Sequence, residues 1–155
     1  SNAPGLRSGF VAGDARALER FLAYRTYHGC AMSPAVQVAS IAAWSDETHV
    51  IENRRRYAHK FEQAHPRISQ VLPADMPRAS FYLWAQTPGD DVQFASRLYA
   101  EQNVTVLPGS FLARAADGSN PGAGYVRIAL VAEETEVVDA TQRIVACVRA
   151  ANASS

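Results

Sequence analysis

Apolar residues recur along the chain with two different periods, and each period predicts a different kind of element. A spacing of three and four residues predicts five helices, at 15–28, 34–44, 46–64, after Asp90 and after Glu133. Short apolar runs bounded by turn residues predict four strands, at 9–12, 80–85, 104–107 and 124–132. The order is therefore one strand and three helices, followed by strand, helix, strand, strand and helix.

The two halves of this pattern differ in character. The segment 34–44 is almost entirely apolar, which predicts a buried helix, whereas 46–64 carries many charges and predicts a long, largely exposed helix. The best internal boundary is the change in composition at Ser45 and Asp46. Beyond it, residues 46–155 have the pattern of a small α+β domain whose short sheet is covered on one face by helices.

Arg127 interrupts the last apolar strand with a positive charge. A buried guanidinium needs a partner, and its planar donors match a carboxylate bidentately, so Arg127 is a candidate for substrate binding. The alternation of the strand by itself favours a second interpretation. Val126 and Ile128 then face the core, and Arg127 faces water or a structural ion pair.

Composition narrows the classes of function. The 155 residues are 48% hydrophobic and 19% charged, which is typical of one soluble domain or a domain with part of another. The net charge is zero, so no overall field attracts nucleic acid or an anionic membrane. No apolar run approaches the roughly 20 residues of a membrane span, and no signal peptide is recognised, which predicts a cytoplasmic protein. Cys30 and Cys147 are expected to be buried free thiols.

Several familiar chemistries are disfavoured by spacing. The four histidines show no metal-binding pair, so no metal site is predicted. The glycines of 118–124 lack the context of a phosphate loop, and Ser110 lacks the surroundings of a nucleophilic serine. The fifteen Lys and Arg residues are fourteen arginines and Lys60, which lies in the Arg-rich 46–64 segment. Lys60 is therefore a poor candidate for a catalytic amine.

Three segments together resemble the pyridoxal phosphate (PLP) dependent aminotransferases of classes I and II. They are 4–9 (PGLRSG), 107–111 (LPGSF) and 125–129 (YVRIA). The resemblance implies an α/β fold, the C-terminal part of a fold-type I aminotransferase. The resemblance predicts that residues 1–45 are the tail of the large cofactor-binding domain and consist of a strand and helices. Residues 46–155 are the small C-terminal domain with the long interdomain helix.

The resemblance also implies roles for single residues. Arg7 would bind the PLP phosphate, Arg127 the substrate α-carboxylate, and Gly109, Ser110 and Phe111 would lie near the substrate. The lysine that forms the Schiff base with PLP would lie upstream of residue 1. This chain is therefore expected to hold no catalytic residue and no bound PLP, and to be inactive alone. A flexible terminal charge is the alternative interpretation of Arg7.

The narrower resemblance is to succinyldiaminopimelate aminotransferases of bacterial lysine biosynthesis, which use 2-oxoglutarate as amino acceptor. It implies amino acid and 2-oxo acid substrates and a cytoplasmic homodimer in the intact enzyme, with no nucleic-acid or membrane partner. Two alternatives remain open. One is an aminotransferase of the same fold that acts on aspartate, alanine or acetylornithine. The other is a stand-alone, non-catalytic α+β module that binds a carboxylate.

Overall fold

The computed structural model of the chain describes residues 3–153. These residues form two compact units, which divide between Arg54 and Arg55. The predicted domain boundary at 45/46 rests on composition and remains a prediction.

The first unit is helical. A short 3-10 helix, Pro4–Leu6, precedes α1 (Ala15–Tyr27) and α2 (Pro34–Trp44). The next helix, α3 (Thr48–Ile68), begins near the end of the first unit and continues into the second. Asp14 caps α1 by accepting the backbone N–H groups of Arg16 and Ala17 at 3.0 and 3.2 Å. Proline in the first turn of α2 matches the predicted start of that helix.

Two expectations for the first unit are wrong. The segment 9–12 is not a strand, because no other strand within the described part of this unit is present to pair with its backbone. Phe10 is 73% exposed, and its ring meets Trp44 edge-on at 5.0 Å between centroids. Helix α2 is not buried either, since the apolar Val38 and Ile41 face solvent and only Ser40 is buried. Apolar composition predicts burial only where a second surface is available to cover it.

The second unit contains a three-stranded antiparallel sheet and the remaining helices. The strands are β1 (Tyr82–Gln86), β2 (Leu107–Pro108) and β3 (Tyr125–Ala129), in the order β1-β3-β2. The helices are α4 (Asp91–Gln102), α5 (Gly109–Leu112) and α6 (Glu134–Ala153), together with the end of α3. The predicted α/β fold class, with a short sheet and helices over it, is confirmed.

The core of this unit lies between one face of the sheet and the helices. Its largest fully buried side chains are Ile68, Leu72, Leu83, Leu98, Ile144, Val126, Val148 and Cys147. Helix α3 is also held to the start of α6, since His59 Nε2 lies 2.9 Å from a Glu134 carboxylate oxygen. Lys60 Nζ donates to the carbonyl of Ala132 at 2.6 Å, which adds a second link.

Three details differ from the sequence expectations. Helix α3 continues past residue 64 to Ile68 and includes Pro66 in its last turns. Strand β2 is confined to Leu107 and Pro108, and the predicted turn at Pro108 and Gly109 instead starts α5. Cys147 is buried, and burial raises the pKa of its thiol, but Cys30 is exposed, so the expected burial of Cys30 is wrong.

Candidate functional site

Arg127 lies on the face of the sheet opposite the core. Along β3, Val126 and Ile128 are 0% and 6% exposed, and Arg127 between them is half-buried on the other face. β3 is the central strand, and Arg127 has Trp84 of β1 on one side and Leu107 of β2 on the other. The alternation of the strand therefore placed Arg127 away from the core, but on a face lined by large side chains.

The guanidinium of Arg127 has few polar partners within the described residues. Its Cζ lies 5.6 Å from the centre of the Tyr82 ring, over the ring, which is a cation–π arrangement. Its Nε is buried and has no hydrogen-bond partner, and no carboxylate of residues 3–153 forms an ion pair with it. A buried donor without an acceptor costs roughly 1–3 kcal/mol, so an added carboxylate at this position would be favourable.

Aromatic residues surround this face of the sheet. Trp84 and Tyr125 stack with their centroids 5.7 Å apart and their planes 11° from parallel. With Tyr82 they line a cleft of about 630 Å³, together with Gln86 and Pro121. Arg127 is not one of the residues that line this cleft, and the charged residue in its lining is Asp75.

Helix α5 is packed against the start of β3 through two glycines. Gly109 is buried, and a Cβ on it would lie 2.3 Å from the carbonyl oxygen of Gly122 and 2.8 Å from Cη2 of Trp84. A Cβ on Gly122 would lie 2.1 Å from the carbonyl oxygen of Gly109. Only residues without a side chain allow the two backbones to approach this closely.

The two residues after Gly109 differ in their surroundings. Ser110 is half-buried, and its backbone N–H donates to Asp91 Oδ2 at 2.8 Å. Phe111 is 71% exposed. Leu107 pairs with Arg127 and Pro108 with Val126, so Gly109 and Ser110 are the second and third residues beyond the level of Arg127.

Asp91 is a buried acidic residue that the sequence reasoning did not single out. It is 3% exposed, and its second oxygen accepts the backbone N–H of Gly124 at 3.4 Å. Burial, the largest effect, raises the pKa of this carboxyl, but the hydrogen bonds from Ser110 and Gly124 together outweigh it and hold the pKa below its usual 3.8. The available sequence signal was the pair Asp90-Asp91, because one residue is enough to cap α4.

Arg7 lies in the first unit. It follows the Pro4–Leu6 turn with a positive φ of 51°, and its side chain is exposed, with Nη1 3.4 Å from the carbonyl of Pro4. It lines a pocket of about 900 Å³ together with Ser8 and Gly9. An exposed guanidinium beside a serine hydroxyl and a glycine backbone is a suitable arrangement for a phosphate group.

Within residues 3–153, no three potential metal ligands come together. Over the same residues, no helix combines the length and the apolar character needed to cross a bilayer.

Comparison with known proteins identifies the family. The profile of the family "Aminotransferase class I and II" matches residues 1–144. A probable aminotransferase of Mycobacterium tuberculosis is 32% identical over 145 residues, which are 93% of this chain and 33% of that protein. An LL-diaminopimelate aminotransferase of Syntrophobacter fumaroxidans is 31% identical over 147 residues, 92% of this chain and 36% of that protein.

Solved structures agree with this result. An aminotransferase of Neisseria meningitidis matches with a TM-score of 0.84 and 58% identity, over 96% of this chain and 38% of that one. A probable N-succinyldiaminopimelate aminotransferase of Thermus thermophilus matches with a TM-score of 0.71 and 29% identity, over 87% and 36%. The chain spans about a third of the length of the curated relatives it matches. The chain belongs to the class I and II aminotransferase family.

Proposed function

We propose that this chain is the C-terminal part of a PLP-dependent aminotransferase in which Arg127 binds the α-carboxylate of the substrate. The observation that carries the proposal is the half-buried guanidinium of Arg127, whose Nε lacks an acceptor within the described residues. A carboxylate would supply two acceptors in the plane of the guanidinium. The same contact serves amino donor and 2-oxo acid acceptor, because both carry a carboxylate next to the reacting carbon.

The residues of the first unit fit the phosphate of PLP. Arg7 offers an exposed guanidinium in a pocket that Ser8 and Gly9 also line, and so could hold a phosphate dianion. When bound, PLP supplies the electron sink for transamination, and the protein supplies binding and orientation. Gly109 and Ser110, beside β3, would then border the substrate that Arg127 holds, with Phe111 at the exposed edge.

Lys60 does not fit the role of the lysine that carries PLP. Its Nζ donates to the carbonyl of Ala132 and lies 5.2 Å from the centre of the Tyr57 ring. An amine held in this way by α3 is occupied with joining two elements of the second unit. We therefore propose that the reactive lysine belongs to a part of the enzyme outside this chain.

For the substrate we propose succinyldiaminopimelate with 2-oxoglutarate as acceptor, a step of lysine biosynthesis. Similarity to LL-diaminopimelate aminotransferases and to a probable N-succinyldiaminopimelate aminotransferase supports this choice. Similarity to an aspartate aminotransferase of Pyrococcus abyssi and an aromatic-amino-acid aminotransferase of Thermococcus litoralis keeps other amino donors as alternatives. The family resemblance supports a cytoplasmic homodimer as the form of the intact enzyme.

The test is a transamination assay of the full-length protein with added PLP and 2-oxoglutarate. Succinyldiaminopimelate, aspartate, alanine and acetylornithine are compared as amino donors by the glutamate formed. The proposal predicts turnover with the highest kcat/KM for succinyldiaminopimelate. A higher value for another donor would reject the substrate but keep the reaction. Binding of 2-oxoglutarate without turnover of any donor would instead favour a non-catalytic carboxylate-binding module.

A further inference from the structure

Asp91 is buried where capping of α4 does not require it. Asp90 already caps this helix, because its Oδ1 accepts the backbone N–H of Gln93 at 2.8 Å. Asp91 is the next residue, and its carboxylate is directed instead toward two segments far along the chain. A charged group that is 3% exposed is retained only when hydrogen bonds compensate its lost hydration.

The two partners of Asp91 belong to the two segments that form the candidate substrate site. Ser110 lies in the first turn of α5, where a backbone N–H has no acceptor within its own helix, and Asp91 Oδ2 supplies one at 2.8 Å. Gly124 immediately precedes β3, and its N–H lies 3.4 Å from Asp91 Oδ1. Its carbonyl also accepts the N–H of Thr87 at 2.8 Å, so Gly124 is held from both sides.

A second side chain joins the same two segments. Asn120 Nδ2 donates to the carbonyl of Ser110 at 2.9 Å, and its Oδ1 accepts the N–H of Gly122 at 2.9 Å. Both polar groups of the Ser110 backbone are therefore bound, the N–H by Asp91 and the carbonyl by Asn120. Together with the close contact of Gly109 and Gly122, these bonds fix α5 to the segment that leads into β3. Arg127 follows Gly124 by three residues along this chain.

We infer that Asp91 is a positioning residue for substrate binding, whose ionised carboxylate fixes α5 and the entry of β3 relative to each other and so sets the position of Arg127, three residues after Gly124, relative to α5. The inference rests on the proposed function of Arg127. Asp91 is hydrogen-bonded to Ser110 and Gly124 and acts only through the two segments it joins.

Two acceptors on one side chain are the property that this role requires. Asparagine has the same shape but offers one acceptor and two donors, so Asp91→Asn must set an NH2 group against the N–H of Ser110 or of Gly124. Glutamate keeps the charge and both acceptors on a side chain longer by one methylene. Asp91→Glu should therefore retain more of the function than Asp91→Asn.

The experiment measures steady-state kinetics of the full-length enzyme with both substrates. We expect Asp91→Asn to raise the KM of donor and acceptor about tenfold while kcat changes less than about threefold, since a displacement below 1 Å weakens carboxylate binding before it affects the later steps. Asp90→Ala is the matched control, because it removes the cap of the same helix and touches neither Ser110 nor Gly124. It should lower the melting temperature and leave KM unchanged.

Amide hydrogen exchange of the same variants separates this inference from the proposed function. Asp91→Asn should accelerate exchange at Ser110 and Gly124 and leave the interior of α4 protected, whether or not the protein transaminates. Equal KM values in Asp91→Asn and Asp90→Ala, or unchanged exchange at Ser110 and Gly124, would overturn the role of Asp91. Absence of transamination in the unmodified protein would refute the proposed function alone.

Discussion

Replacing Gly109 by alanine tests the contact between α5 and β3 most severely. The added Cβ would lie 2.3 Å from the carbonyl oxygen of Gly122 and 2.9 Å from that of Tyr125. Both obstacles are backbone atoms, so no side-chain rotation relieves them. Ordinary van der Waals contact begins near 3.4 Å, and the closest pair must therefore separate by about 1 Å.

The size of this movement sets the expected effects. Overpacking of a close contact costs about 1–3 kcal/mol, and we expect Gly109→Ala near the upper end because backbone has to move. A misplacement of about 1 Å lowers catalysis about 100-fold, so kcat/KM of the full-length enzyme should fall by about that factor. Most of the loss should appear as an increase in KM, since α5 borders the proposed carboxylate site.

The assay combines urea unfolding with steady-state kinetics, and Gly13→Ala is the control. A Cβ on Gly13 meets nothing within 4 Å, so this variant should unfold within about 0.5 kcal/mol of the unmodified protein and keep its activity. Unfolding free energy and kcat/KM of Gly109→Ala that match those of Gly13→Ala would refute the reasoning.

Three further predictions concern the same enzyme. The folded-state pKa of Asp91 is lowered, so the ionised carboxylate stabilises the folded protein above the usual pKa of 3.8, and this contribution is lost as the pH falls through the folded-state pKa. The unfolding free energies of the unmodified protein and Asp91→Asn should therefore differ at neutral pH and converge in acid. Asp90→Ala should cost about 1 kcal/mol through loss of the α4 cap, measured by denaturant unfolding, and no change would contradict the capping role. The 155-residue chain incubated with PLP and borohydride should show no stoichiometric adduct at Lys60 by mass spectrometry; a full-occupancy adduct that Lys60→Ala abolishes would place the reactive amine within this chain.

Local signals predicted the second unit well. Asp90 before an apolar helix, and the alternation of Val126, Arg127 and Ile128, are short-range patterns, and the structure shows the cap and the two faces they predict. The extent of strand β2 was predicted less well, because Val104 and Val106 are buried but do not pair with β3, and only Leu107 and Pro108 do. Apolar side chains predict burial, but pairing depends on the neighbouring strand.

Long-range contacts account for most of what the sequence did not reveal. Asp91 meets Ser110 and Gly124 across 19 and 33 residues, and a pattern of neighbouring residues holds no information about such a bond. The predictions for the first unit were wrong for a related reason. The apolar residues of α2 and Phe10 resemble core positions, yet burial is decided by which other surfaces are present, and helix periodicity does not report that.

Calorimetric titration of the full-length protein with 2-oxoglutarate tests most directly whether Arg127 binds a substrate carboxylate. We expect Arg127→Gln to weaken binding by about 10- to 100-fold, in line with the loss of a bidentate charged hydrogen bond worth about 1.5–3 kcal/mol. Arg143→Gln removes a charge of the same kind from an exposed ion pair with Asp139 and should bind as the unmodified protein does. Equal affinity of Arg127→Gln and Arg143→Gln for 2-oxoglutarate would show that Arg127 does not bind the carboxylate.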